Sequence, residues 1–255
     1  MSDGYPKPNG LKAFGTFVCG GGSTMGYKLA GLDHLGGVEI DAGIADSYKT
    51  NHSPRHFYVE DIRDFNRRTD LPEELYGLDI LDGSPPCSSF SMSGNREKYW
   101  GKEKKFREGQ KKQILDDLVF EYIETIGKLK PKVAILENVK GLISGNAKAY
   151  AKKMKIQFEK HGYRVQVFLL NASKMGVPQR RERVFFIGLR KDIEHPELVL
   201  KFNEQGIVFG QYRSKAGVDL SHTERGQIIE HRIPTDKDIG DINMRLHGKN
   251  NKQRE

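Results

Sequence analysis

Short apolar runs alternate with helical stretches from residue 14 to residue 160, and that order leaves few folds open. Strands are expected at residues 14–19, 37–40, 57–59, 78–81 and 133–136, and helices at 24–30, 42–49, 112–129 and 147–160. Ser23 or Thr24 is the expected N-cap of the first helix. In the 112–129 stretch, Ile114, Leu115, Leu118, Val119, Tyr122, Ile123 and Ile126 recur at helical spacing, and Pro131 closes it. Residues 133–136 carry no polar interruption, so that strand is expected to be buried on both faces. Helices between successive strands dictate parallel βαβ units with right-handed crossovers. Two later runs, 163–170 and 183–189, are joined through Pro178 and a run of charges without a helix, and an antiparallel arrangement fits them. The expected fold is a doubly wound α/β sheet of seven strands, the last antiparallel. Beyond Leu189 the pattern fades. Residues 1–190 read as one domain, and 191–255 as a partial second domain or an extension that a partner orders.

Composition narrows the function. A chain of 255 residues can bury a substantial core. No apolar run approaches the ~20 residues of a membrane span, and residues 1–10 are too polar for a signal peptide. Two cysteines, Cys19 and Cys87, cannot build a disulfide framework. The eight histidines show no ligand spacing, so no metal is expected. A reducing, cytoplasmic location is the expectation. Lys plus Arg exceeds Asp plus Glu by 42 to 34. The excess is concentrated: residues 96–112 hold 8 basic and 3 acidic side chains, whereas residues 191–255 balance 11 against 11. Such a stretch is either a solvated loop or a contact for a polyanion such as nucleic acid.

The first strand runs into Cys19-Gly20-Gly21-Gly22-Ser23-Thr24-Met25-Gly26. Glycines there let a ligand approach the backbone and the amides of the following helix. The spacing departs from the strict dinucleotide fingerprint, which weighs against a nicotinamide-dependent oxidoreductase. Glu39-Ile40-Asp41 ends the second strand, where a carboxylate can accept from both ribose hydroxyls of a nucleoside. Asp61 and Ile62 follow the third strand, placed to meet an adenine amino group and ring. Three strand ends directed at one crevice suggest an adenosine-containing cofactor. Cys19, at the end of the first strand, is read as a packed core thiol.

The fourth strand enters Gly83-Ser84-Pro85-Pro86-Cys87-Ser88-Ser89-Phe90-Ser91. Cys87 stands in a polar loop of small residues at the carboxyl edge of the sheet, poorly suited to a core role. Glu137-Asn138-Val139 ends the fifth strand, which neighbours the fourth in such a sheet. A thiol beside a carboxyl fits covalent catalysis with acid assistance.

Together these segments resemble the DNA cytosine-C5 methyltransferases of bacterial and phage type. The matching blocks are residues 14–26 with Glu39-Ile40-Asp41, then Asp61-Ile62, residues 83–94, Glu137-Asn138-Val139, and Val177-Pro178-Gln179-Arg180-Arg181-Glu182-Arg183, in family order over residues 12–190. The resemblance implies a Rossmann-like methyltransferase fold, S-adenosyl-L-methionine as cofactor, and duplex DNA whose target cytosine is flipped out of the stack. It implies that Cys87 attacks C6 of that cytosine and that Glu137 holds its N3 and N4. Arg181 and Arg183 lie against the base and loop, Arg183 being the better placed for the cytosine O2. Asn138 is expected to hold the Pro-Cys loop. Phe17, Cys19, Gly20, Gly22, Glu39, Ile40, Asp61, Ile62, Pro85 and Leu118 would border the cofactor pocket. Residues 96–112 would be the loop that closes on the flipped base, with Trp100 either at the DNA or anchoring the loop.

Single-chain members of the family continue through a variable recognition region into a motif that organises it and a Gly-Asn-rich segment that completes the cofactor site; neither of the last two is found here. A truncated chain, or one subunit of a split modification enzyme whose second subunit carries recognition, is therefore expected, with weak activity alone. Residues 191–255 are then the start of that recognition region or an extension that depends on a partner. Two alternatives remain open at this stage: tRNA as the substrate of the same chemistry, and a non-catalytic DNA-binding fragment.

Overall fold

The computed structural model describes residues 6–86, 117–144, 147–200 and 202. Strands β1 (Lys12–Thr16), β2 (Asp33–Glu39), β3 (His56–Val59), β4 (Ile80–Gly83) and β5 (Val133–Val139) pair in parallel. Strand β7 (Glu182–Arg190) runs antiparallel to β5, and β6 (Tyr163–Asn171) follows it, giving the order β3-β2-β1-β4-β5-β7-β6. The seven-stranded doubly wound sheet read from the sequence is present. Its strand order reverses at β1, flanked by β2 and β4, and the crevice beyond their carboxyl ends is where such sheets bind ligands.

Helix α1 (Gly22–Leu29) links β1 to β2, α2 (Ala42–His52) links β2 to β3, and α3 (Ile62–Arg67) follows β3. Helices α4 (Leu118–Leu129) and α5 (Ala147–Lys160) flank β5, and α3, α4 and α5 lie side by side. The apolar stripe of α4 is buried as its spacing predicts, from Leu118 and Val119 through Tyr122, Ile123 and Ile126 to Leu129; residues 112–116 lie outside the described residues. The Tyr122 hydroxyl lies 2.9 Å from the Leu81 carbonyl and 2.8 Å from that of Ile135, joining α4 to β4 and β5. Across the core Phe14 stacks on Phe65 at 5.9 Å. Each such ring contributes about 1.5–3 kcal/mol by leaving water.

Three local expectations are corrected. First, β1 stops at Thr16 instead of running to Cys19, because Phe17 and Cys19 take positive φ (55° and 48°) and turn the chain off the sheet. Second, neither Ser23 nor Thr24 caps α1. The N-cap is Gly21 (φ 86°, ψ 25°), while the Ser23 hydroxyl is drawn to Asp82 and that of Thr24 to Tyr48 at 2.9 Å. Third, β5 is not buried on both faces: Ala134, Leu136 and Asn138 are buried, whereas Val133, Ile135, Glu137 and Val139 are half-buried. Ala134 and Leu136 belong to the same core as the buried residues of α4 and α5.

The chain divides into two compact units, Met1–Leu170 with Arg183–Leu198, and Asn171–Glu182 with Val199–Glu255. Within the described part of the second, Asn171 accepts from the Ser173 amide (3.1 Å) and hydroxyl (2.9 Å), and the Ala172 amide donates to the Arg181 carbonyl (3.0 Å). The Ala172–Arg181 bond closes residues 173–180 into a loop. None of the described helices is long and apolar enough to cross a membrane.

Candidate active site

The loop after β1 is shaped by its neighbours in the sheet. Val18 folds back over Gly15 and Gly37, whose missing side chains leave room for its Cγ1; a Cβ at either would come within 2.5 or 2.4 Å of it. The Val18 amide donates to Val38 and the Gly21 amide to Val18, so the turn is closed before α1 begins. Cys19 is exposed, not a packed core thiol, because its positive φ lifts it off the sheet. Gly20 and Gly22 face open space, whereas Gly21 faces inward. Phe17 is half-buried against the core.

Glu39, at the end of β2, is only 9% exposed. Its Oε2 accepts from the Cys19 amide (2.9 Å) and its Oε1 from the Asp41 amide (3.0 Å). The carboxylate therefore fixes the first-strand loop to its own strand end and retains acceptor capacity beyond those two bonds. Asp41 caps α2 through the Ile44 amide. Asp61 caps α3 through the Arg63 amide (2.9 Å) and also pairs with the Arg63 guanidinium (3.1 Å). Ile40 is 42% exposed at the strand end, whereas Ile62 and Leu118 are each only 4% exposed and belong to the core.

On the other side of the crevice, the β4 loop and the β5 end are tied together. Ser84 donates to the Phe17 carbonyl (3.4 Å), linking the loops after β4 and β1. Asn138, buried at 3% exposure, donates from Nδ2 to the Pro85 carbonyl (3.1 Å) and accepts at Oδ1 from the Val139 amide (2.8 Å). Asn138 thus makes the loop-holding bond expected of it. The antiparallel register of β5 and β7 sets Val139 opposite Arg183 and brings the Arg183 Nε to 3.0 Å from the Glu137 Oε1. The carboxylate and guanidinium are each about three-quarters buried. Arg181 is exposed and belongs to the second unit. Cys87, the basic stretch 96–112 and Trp100 lie outside the described residues.

Sequence reasoning missed a buried polar cluster beneath the loops. Asp82 accepts from the Tyr27 hydroxyl (3.2 Å), and burial pushes its carboxyl up to about 6, with the nearby Glu137 charge adding to the rise. Burial pushes His34 down to about 3, and its Nε2 lies 3.5 Å from the Thr24 hydroxyl. The available signal was a carboxylate inside a central apolar strand, since such a residue is rarely buried without partners. Among the described residues no group of three or more His, Cys, Asp or Glu is arranged to hold a metal ion.

The chain is similar to several known proteins. The chain is 34% identical to Type II methyltransferase M.FnuDI of Fusobacterium nucleatum over 183 residues, covering 72% of this chain and 48% of that protein. It is 32% identical to orphan methyltransferase M.SPRI of Bacillus phage SPR over 186 residues, 72% of this chain and 37% of the relative. This chain spans about half or less of the length of such relatives. Among solved structures, its fold is similar to that of a prophage-encoded E. coli chain described as a DNA modification methyltransferase (TM-score 0.59, 21% identity, 80% of this chain and 54% of that one). It is also similar to a variant of Spodoptera frugiperda DNMT2 (TM-score 0.54, 20% identity, 78% and 57%). The family model for C-5 cytosine-specific DNA methylases matches residues 12–252, and the chain belongs to that family.

Proposed function

We propose that this chain carries the catalytic centre of a DNA cytosine-C5 methyltransferase of restriction–modification or phage type. The observation that supports it best is the Glu137–Arg183 pair, set beside the Pro85 loop that Asn138 holds and that leads directly into Cys87.

In this reading the Cys87 thiolate adds to C6 of a cytosine, and electron density moves to C5. Glu137 hydrogen-bonds N3 and N4 and favours protonation at N3 as negative charge builds on the ring. Arg183 donates to O2 and stabilises the same charge, a type of contact worth about 10²–10³ in rate. C5 accepts a methyl group and loses its proton, and the Cys87 thiolate is expelled. The target carbon is inaccessible in a stacked duplex, so the base is flipped into the site, and residues 96–112 close over it with phosphate contacts.

S-adenosyl-L-methionine, when bound, supplies an electrophilic methyl on a positively charged sulfur. The residues present fit it: Glu39 keeps acceptor capacity for a ribose diol, Ile40 offers apolar surface, and Gly20 and Gly22 leave the loop backbone open to close approach. Asp61 and Pro85 complete the border of that pocket. Sequence recognition is assigned to regions that the relatives carry and this chain does not span, whether in further chain or in a second subunit.

The test is methyl transfer from labelled S-adenosylmethionine to mixed-sequence duplex DNA and, in parallel, to tRNA. The reading expects label at C5 of DNA cytosine, dependent on Cys87, and strengthened by a polypeptide carrying the missing regions. Transfer to tRNA alone would replace DNA as the substrate.

A further inference from the structure

We infer that His52, at the end of α2, is a positioning residue that seats the glycine-rich loop in the shape that binds the cofactor; this rests on the cofactor reading above. His52 is a buried imidazole that the proposed chemistry leaves without a role. Its ring edge meets the loop from beneath. A Cβ at Gly21 would lie 2.1 Å from His52 Nε2, 2.4 Å from its Cδ2 and 3.1 Å from Tyr48 Cδ2. The loop backbone therefore rests directly on the imidazole, with Gly21 in the left-handed region (φ 86°) as the N-cap of α1. Burial and the Lys28 charge together lower the pKa of the ring, the Gly20 backbone favours its charged form against them, and Nδ1 is buried without a hydrogen-bond partner.

The ring is itself held on several sides. It packs on Tyr48 at 4.8 Å between centroids, and the Tyr48 hydroxyl bonds Thr24 at 2.9 Å in the first turn of α1. The His52 carbonyl accepts from Lys28 Nζ at 2.7 Å, near the end of α1. One residue thus touches the loop through its ring and α1 through its backbone. The same α1 N-terminus presents its amides to the crevice, and α1 has no side-chain N-cap of its own. Support for the loop comes from α2, so a change at His52 moves the groups that would meet the ligand without touching the ligand.

The isosteric pair His52→Gln and His52→Met separates a positioning role from simple filling of space. Glutamine keeps a donor near the Nε2 position, whereas methionine keeps volume alone. Two quantities are measured on the full chain: hydrogen exchange of the Gly21 and Met25 amides without ligand, and the affinity for S-adenosylhomocysteine by calorimetry. Both amides are bonded within the turn, to the Val18 and Gly21 carbonyls. The expected result is about tenfold faster exchange at these amides and about tenfold weaker binding for His52→Met. His52→Gln stays within about threefold of wild type, and exchange in β5 is unchanged in both. Equal behaviour of the two variants, or a uniform rise in exchange that includes β5, overturns the inference. If wild type binds no S-adenosylhomocysteine, the cofactor reading fails and takes the ligand part of this inference with it. The exchange comparison then still decides whether His52 seats the loop.

Discussion

Replacing Asn138 by leucine, which keeps the volume and deletes both polar atoms, strips two backbone groups of their partners: the buried Pro85 carbonyl at 3.1 Å and the half-buried Val139 amide at 2.8 Å. An unpaired buried group costs about 1–3 kcal/mol, so the sum is about 2–6 kcal/mol. For a domain of this size, each kcal/mol lowers Tm by about 2–4 °C, which places the drop between about 4 and 24 °C. Asn138→Asp is the sharper probe. It keeps an acceptor for Val139 but sets a carboxylate oxygen against the Pro85 carbonyl, so the loop leading to Cys87 must move. A displacement of about 1 Å at a reacting group costs about 10²-fold in rate. Thermal unfolding and single-turnover methyl transfer, run on both variants, give the two numbers. A Tm within 1 °C of wild type together with an unchanged rate for Asn138→Asp would refute the argument that this bond positions the loop.

Other consequences follow from the same structure. The Asp82 carboxyl, raised by burial to about 6 from an ordinary 3.8, is protonated in the folded chain where the unfolded chain is ionised, so its contribution falls as pH rises through that window. His34, lowered by burial to about 3 from 6.5, has the opposite sign and loses stability as pH falls below 6.5. Asp82→Asn should therefore steepen acid destabilisation between pH 6 and 4, by at most about 3 kcal/mol, and His34→Leu should flatten it, as read by urea titrations across pH. Glu39→Gln turns an amide NH₂ toward one of the two backbone donors now bound to the carboxylate, and should weaken S-adenosylhomocysteine binding about tenfold in calorimetry. Arg183→Met takes the Glu137 carboxylate's partner away where that carboxylate is about three-quarters buried, and should cost about 1–3 kcal/mol of stability, yet slow methyl transfer at least about 10²-fold. A stability loss without a rate loss would make that pair structural.

The sheet was legible because apolar runs and helical periodicity repeat along the chain, and the short helix-free link before β7 pointed to its antiparallel direction. The ends of elements were not. Residues 17–19 have the composition of a strand, yet the turn of Val18 over Gly15 and Gly37 is a contact between strands, invisible to a local pattern. Ser23 and Thr24 look like caps, but tertiary partners, Asp82 and Tyr48, claim their hydroxyls. The strand-end acids were found by position alone, and so was the Glu137–Asn138 pair. His34, His52 and Asp82 were passed over because their meaning lies in what folds against them. Nothing in the local sequence around His52 shows that its ring lies under Gly21.

The most direct test of the central claim is covalent trapping on duplex DNA in which 5-fluorocytosine replaces cytosine, with S-adenosylmethionine and a polypeptide carrying the regions this chain does not span. Fluorine at C5 cannot leave as a cation, so the thiolate stays attached at C6. The account predicts a denaturant-stable protein–DNA adduct with wild type and none with Cys87→Ala. Methylation of ordinary cytosine that persists in Cys87→Ala, or that proceeds in wild type while the fluorinated duplex traps nothing, would contradict it.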